Sequence, residues 1–216
     1  GVGKTFVAAG ISAVLKEKGI NIGVMKPVET GCPEKDGRLE PQDALYLKNA
    51  AGVSDVLDLI NPYRFKAPLA PSIASRKEGK TVELHRIKEC YDKLASQHNL
   101  MLVEGAGGLL TPLNENETVA DLIKLLNLPI IIIAASRLGA INHTLLTVRY
   151  AQSIGIEVKG IILNYPSLSI DETLSTNQAE IKRLTSVPVF GELPFCDVDR
   201  VAKMVKKYLK LSILEQ

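Results

Sequence analysis

The chain has 216 residues, 46% of them apolar, which suits one domain with a sizeable core. A formal net charge of +2 is too mild to argue for nucleic acid as a partner, and no uninterrupted apolar run reaches the length of a membrane span. Cys32, Cys90 and Cys196, far apart and odd in number, read as reduced thiols of a cytosolic protein, and no secretory signal, repeat or linker is visible.

The chain opens on GVGKT, the closing half of a glycine-rich phosphate loop. Thr5 to Lys18 has helical spacing and stops at Gly19, a good residue for a helix end. Ile20 to Met25 is a short strand running into Lys26-Pro27. Residues 29–40, polar with two glycines and a proline, read as a loop, and Pro41 to Ala51 as a short helix ended by Gly52. Residues 61–72 carry three prolines and read as largely irregular, and Val82 to His98 as an amphipathic helix. Leu100 to Val103 is a buried strand breaking into the turn EGAGG. Val119 to Leu126 is helical, PIIIIAAS is an apolar strand, and Asn142 to Ile154 is helical again. Val158 to Asn164 is a strand, Glu172 to Thr185 a helix, Pro188 to Phe190 a short strand and Val198 to Leu209 a last helix. Strands apolar on both faces and separated by helices predict an α/β fold: a mostly parallel sheet flanked by helices on both faces, in one domain over residues 1–216. Ligands of such sheets bind at the carboxyl ends of the strands, which directs attention to Lys26, Glu104, Ser136 and Asn164.

In a phosphate loop the glycines let backbone N–H groups face the phosphates, the lysine neutralises them and the hydroxyl binds Mg²⁺; Lys4 and Thr5 lead directly into a helix, as that mechanism requires. Glu104, ending an apolar strand and followed by GAGG, stands where nucleotide-binding sheets place a metal carboxylate. Lys26 is either a solvated strand-end charge or a fixed ammonium that steadies an anionic intermediate. Asn164 suits either a turn or a purine edge. By spacing alone Asp43 is a first-turn helix charge. His85, His98 and His143 form no metal pattern, and no Ser-His-Asp set or zinc spacing is present.

GVGKT (1–5), KPVETG (26–31), QDAL (42–45), NPYRFKAPLAPSIA (61–74), VEGAGGLLTPL (103–113), RLGAINHTLLT (137–147), ILN (162–164) and GELPF (191–195) together resemble the dethiobiotin synthetase family over essentially the whole chain. The resemblance implies a P-loop nucleoside triphosphate hydrolase-like fold and an ATP- and Mg²⁺-dependent ligase of biotin synthesis. Such an enzyme joins CO₂ to 7,8-diaminononanoate and closes the ureido ring through a carbamate and a carbamic–phosphoric anhydride. Carried onto this chain, Gly1, Val2, Gly3, Lys4, Thr5 and Phe6 would form the phosphate loop, with Lys4 and Lys26 catalytic. Thr5, Asp43 and Glu104 would hold the metal, which replaces the structural reading of Asp43. Gly105, Ala106 and Gly107 would line the nucleotide. Asn164 with Pro194, Phe195 and Cys196 would face adenine, and Thr30, Gly107 and Asn142 would meet the diamine. The family's homodimer would bring the RLGAINH loop toward a neighbour's site.

Two departures stand out. Arg137 occupies a position where the family commonly has lysine, which changes geometry rather than charge. The family also begins with a buried strand and Gly-Thr-x-Thr before its Gly-Lys-Thr, so about ten residues (a strand of five or six plus half a loop) are expected ahead of Gly1. A rival from another class is a nucleotide switch resembling the partition and division-site ATPases, which share this sheet and loop style. KPVETG, with no amphipathic membrane tail or basic patch, favours the synthetase. An amidase-linked synthetase acting on corrinoid carboxylates would need a glutaminase domain for which the chain has no room.

Overall fold

The structure, a computed structural model, describes residues 1–165, 167 and 174–211. In chain order the elements are α1 (Lys4–Glu17), β1 (Ile22–Met25), β2 (Val28–Thr30), β3 (Glu34–Lys35), β4 (Arg38–Leu39), α2 (Gln42–Ala51), α3 (Leu57–Ile60), β5 (Tyr63–Phe65), α4 (Pro71–Lys77), α5 (Leu84–Ala95), β6 (Leu100–Val103), α6 (Val119–Leu126), β7 (Ile130–Ala135), α7 (Ala140–Ser153), β8 (Val158–Asn164), α8 (Leu174–Leu184) and β9 (Val189–Leu193). A 3₁₀ turn (Val198–Arg200) and α9 (Val201–Tyr208) follow. The contacts group into two compact units, Leu15–Asn127 and Gly1–Val14 with Leu128–Gln216.

In the unit of residues 15–127, β1 pairs in parallel with β6, Ile22 opposite Leu100 and Met25 opposite Val103. All four residues of β1 are buried, as a two-face-covered parallel strand requires. Helices α2 and α5 pack on β1. A second parallel pair, β2 with β5, sets Val28 opposite Tyr63 and Thr30 opposite Phe65.

In the other unit β7, β8 and β9 form a parallel sheet in that order. Alternate residues Ile132 and Ala134 of β7 and Ile161 and Leu163 of β8 share one face with Val148 of α7 and Ile181 of α8. Fully buried side chains such as Ile161 and Leu163 are worth roughly 1.5–3 kcal/mol each. Helix α1 runs close against α9 because Gly10 has no side chain: a Cβ there would lie 2.7 Å from Val205 Cγ2 and 2.8 Å from Val201 Cγ2. Among the described residues no helix is long and apolar enough to cross a membrane.

Several elements differ from the sequence reading. Residues 29–40 are not one loop. Val28–Thr30 is a strand because it finds a ladder partner more than thirty residues away in β5, and β3 and β4 form a hairpin around Asp36 (φ 52°) and Gly37 (φ 73°). Asp-Gly with both φ values positive is the favoured two-residue hairpin turn. Within 61–72 the segment Tyr63–Phe65 is extended and Pro71 opens α4. The helix expected from Val82 starts at Leu84, because Glu83 is extended with its N–H donated to the Tyr63 hydroxyl. The last helix begins as a 3₁₀ turn. The expected start of the preceding helix at Glu172 lies outside the described residues.

Candidate active site

Register fixes the centre of the site. Met25 and Val103 face each other at the ends of β1 and β6, so the next residues, Lys26 and Glu104, emerge side by side. The Glu104 N–H extends the ladder to Met25 O at 2.8 Å. Lys26 is clamped by its own backbone: its N–H donates to Ile60 O at 2.8 Å, and Asn61 Nδ2 donates to its carbonyl at 2.6 Å. Both side chains turn inward, each 5% exposed. Lys26 Nζ lies 2.6 Å from Glu104 Oε1 and 3.0 Å from Asp43 Oδ2. Burial alone would lower the ammonium's pKa, but the carboxylates of Glu104 and Asp43 outweigh it and hold Lys26 above the ordinary lysine range. The solvated-charge alternative for Lys26 does not describe this geometry.

Asp43 comes from the first turn of α2. The helix has no capping side chain of its own, since Pro41 stands at its N-cap. Glu29 of β2 supplies the cap instead. Its Oε1 accepts the Asp43 N–H at 2.9 Å and its Oε2 the Ala44 N–H at 3.0 Å. Burial raises the Glu29 carboxyl's pKa, and the two backbone N–H groups oppose that rise. Thr30 follows at the half-buried end of β2. Gly31 (φ 76°) then turns the chain, its N–H held by Ala67 O at 3.2 Å, and a Cβ there would press on Pro68.

Asp43 and Glu104 aim their oxygens at one cation, the Lys26 ammonium, which marks a point where positive charge is held. Among the described residues no three His, Cys, Asp or Glu side chains gather to hold a metal ion by themselves. This donor set suits Mg²⁺, which is commonly held by one or two carboxylates with the remaining positions left to phosphate, hydroxyl and water.

After Glu104 the chain passes through half-buried Gly105 and Ala106 to Gly107. Gly107 has φ 78°, and any side chain there would collide with Thr111. Thr111 Oγ1 accepts the Gly108 N–H at 2.9 Å, which folds the turn onto itself.

The remaining expected residues lie in the other unit. Lys4 and Thr5 open α1, and Val7 N–H donates to Gly3 O at 3.0 Å, so the loop runs straight into the helix. Gly3 has φ 87°. Asn164, 2% exposed at the end of β8, donates from Nδ2 to Val2 O at 2.9 Å. One amide N–H of Asn164 is thus committed to the loop backbone. Pro194 and Cys196 are half-buried after β9, Phe195 is exposed between them, and Asn142 is exposed on α7. Beside Asn164, the Tyr165 hydroxyl is pushed up to about 12 by burial and by the Glu192 carboxylate. Three contributors escaped sequence reasoning: Glu29, Asn61 and the loop-anchoring role of Asn164. Glu29 could have been noticed as the acidic residue inside KPVETG. Nothing local distinguishes Asn61.

A protein-family model described as an AAA domain matches residues 1–198. The ATP-dependent dethiobiotin synthetase BioD of Bacillus subtilis (strain 168) is 42% identical over 217 residues, covering 99% of this chain and 92% of the relative. The chain belongs to the dethiobiotin synthetase family. A synthetase of the same name from Thermodesulfovibrio yellowstonii is 41% identical over 203 residues, covering 90% of this chain and 85% of its own. Among solved structures, the septum site-determining protein MinD with Mg-ADP from Pyrococcus horikoshii aligns with a TM-score of 0.57 at 16% identity, over 100% of this chain and 85% of that one. The MinC:MinD complex of Aquifex aeolicus gives 0.54 at 15%, over 94% and 82%. At those identities the likeness shows the fold alone, which is that of P-loop nucleoside triphosphatases. The chain thus shares its fold with these two structures, while its KPVETG and EGAGG segments carry Lys26 and Glu104 of the charged cluster described above.

Proposed function

We propose that the protein makes dethiobiotin from 7,8-diaminononanoate, CO₂ and ATP with Mg²⁺. The observation that carries this reading is the buried Lys26 ammonium after β1, held between Glu104 after β6 and Asp43 in the first turn of α2, in a chain 42% identical to a named synthetase. One substrate amine takes up CO₂ as a carbamate, losing a proton. The carbamate oxygen attacks the γ-phosphorus and ADP leaves. The second amine then attacks the carbamoyl carbon, phosphate leaves and the ureido ring closes. Carbamate phosphorylation needs positioning and charge neutralisation more than a strong base. Lys26 is suited to it, because its backbone is pinned on both sides and its charge persists despite burial.

In this reading Lys4 and the N–H groups of residues 1–6 hold the phosphates, and Thr5, Asp43 and Glu104 hold Mg²⁺, which would neutralise phosphate charge. Thr30, Gly107 and Asn142 meet the diamine, and Asn164 and Pro194–Cys196 the adenine. Residues 1–216 act as one domain, in a cytoplasmic homodimer. Support for the dimer comes from Leu138 and Leu146, 80% and 59% exposed beside and on α7. Support for the compartment comes from Cys32, Cys90 and Cys196, all free thiols. Incubating the protein with ATP, Mg²⁺, bicarbonate and 7,8-diaminononanoate tests the reading by mass spectrometry. Dethiobiotin, ADP and phosphate are expected. ATP turnover that ignores the diamine and yields no ureido product would overturn it in favour of a nucleotide switch.

A further inference from the structure

We infer that Glu29 is a positioning residue for the metal carboxylate Asp43: it is a cap supplied from another strand, and it sets where the first turn of α2 stands. The inference rests on the reading of Asp43 as a metal holder. A helix leaves its first N–H groups without partners inside the helix, and the N-cap side chain ordinarily satisfies them. Pro41 has no side-chain acceptor, and Glu29 takes the place of a cap with both carboxylate oxygens, one on Asp43 N–H and one on Ala44 N–H. The two bonds act in a fork, so they fix the rotation of the helix end as well as its distance from β2. Asp43 is the residue whose own N–H is held. Its side chain therefore leaves a backbone atom that cannot drift without breaking a charge-assisted bond.

Glu29 also has little freedom of its own. It is 6% exposed and lies on β2, whose neighbours Val28 and Thr30 are registered against Tyr63 and Phe65. The backbone that carries Lys26 runs through Pro27 directly into this strand, so one short segment delivers the ammonium and places the carboxylate that pairs with it. Both Glu29 carboxylate oxygens are taken up by the helix end, so it acts through Asp43.

The test is Mn²⁺ binding, read as loss of the free-ion electron paramagnetic resonance signal with a non-hydrolysable ATP analogue present. Glu29→Asp keeps the charge but shortens the reach by one methylene, so it cannot hold both N–H groups from the same strand position. Its Mn²⁺ affinity is expected to fall about tenfold, the scale for a partner that orients a metal ligand. Affinity for the analogue without metal should stay unchanged. Glu29→Gln should fall at least as far, since its amide presents a donor to one of the two N–H groups. Wild-type Mn²⁺ affinity in Glu29→Asp would overturn the inference, including the case where Glu29→Gln alone is weakened, because Glu29 would then act only through its charge. Asp43→Asn separates the two readings: if it leaves Mn²⁺ affinity intact, the metal assignment of Asp43 fails; if it weakens binding while Glu29→Asp does not, the positioning role fails. Should Glu29→Asp not fold, amide exchange of the metal-free wild type decides. Protected Asp43 and Ala44 N–H groups are expected, and exchange at the rate of an open helix end would overturn the cap.

Discussion

Replacing Lys26 by Met keeps the apolar stem and removes the charge between two carboxylates. The Lys26 and Glu104 side chains are 6% and 4% exposed, whereas Asp43 is 44% exposed. Removing one partner of a buried pair costs about 3–5 kcal/mol. The Asp43 arm is wet and contributes little, so the lower end, about 3 kcal/mol, is expected for the metal-free protein. For a chain of this size that is a fall in Tm of roughly 6–12 °C. A divalent ion should recover part of it, because positive charge returns to the same two carboxylates; the Tm gain on adding Mg²⁺ with an ATP analogue should therefore be larger in Lys26→Met than in wild type. Turnover should fall about a hundredfold or more, the scale of one lost electrostatic stabiliser, while analogue affinity stays within a factor of several. Differential scanning fluorimetry in chelator and in Mg²⁺, calorimetry of the analogue and steady-state product formation supply the readings. A variant that melts within a degree of wild type in chelator and turns over normally would refute the reasoning.

Gly3→Ala places a side chain into Asn164 Nδ2 at a φ of 87°, so nucleotide affinity should drop more than tenfold with the fold intact by circular dichroism. Gly160→Ala drives a methyl into the Phe190 ring and should cost about 1–3 kcal/mol in a chemical denaturation curve. Burial pushes the Cys32 thiol up to about 11, so the thiolate should be scarce at pH 8 and iodoacetamide should leave Cys32 unmodified in native protein by mass spectrometry. The Asp121 carboxyl is held below the ordinary aspartate range by the Thr118 hydroxyl and then by the Thr118 N–H. Its contribution is therefore full above a pH of about 4 and fades as pH falls through the lower folded value. Asp121→Ala should lower stability by at most about 1 kcal/mol at pH 7, since the group is exposed, and by less near pH 3.

The parallel architecture was legible because period and apolarity are local: β6, α6 and β8 begin and end where the sequence pattern puts them. Lys26 and Glu104 were legible for the same reason, as the residues that follow apolar strands, although β6 is only half-buried where β1 is fully buried. What the pattern could not supply was pairing across distance. Val28–Thr30 looks like loop until Tyr63–Phe65 lies beside it, and Glu29 looks like a surface charge until α2 presents its N–H groups. Asp43 illustrates the limit: its helix position was readable, but its partner Lys26 is seventeen residues away, and only the resemblance turned the reading from a helix charge to the proposed metal holder. The 3₁₀ start of the last helix turns on local backbone geometry that composition does not report.

The EGAGG turn has one more consequence. Gly108 N–H is bonded to Thr111 Oγ1, Val119 N–H to Thr111 O at 3.0 Å and Ala120 N–H to Leu109 O at 2.9 Å, so the turn is tied to Thr111, and Leu109 and Thr111 just after it are tied to the start of α6. Conformational freedom that a glycine run would otherwise lose on meeting a ligand has already been lost in folding. Association at this edge of the sheet should then carry a small ordering entropy and a heat-capacity change that follows buried area alone. Thr111 governs that behaviour from a position where it need never touch the ligand.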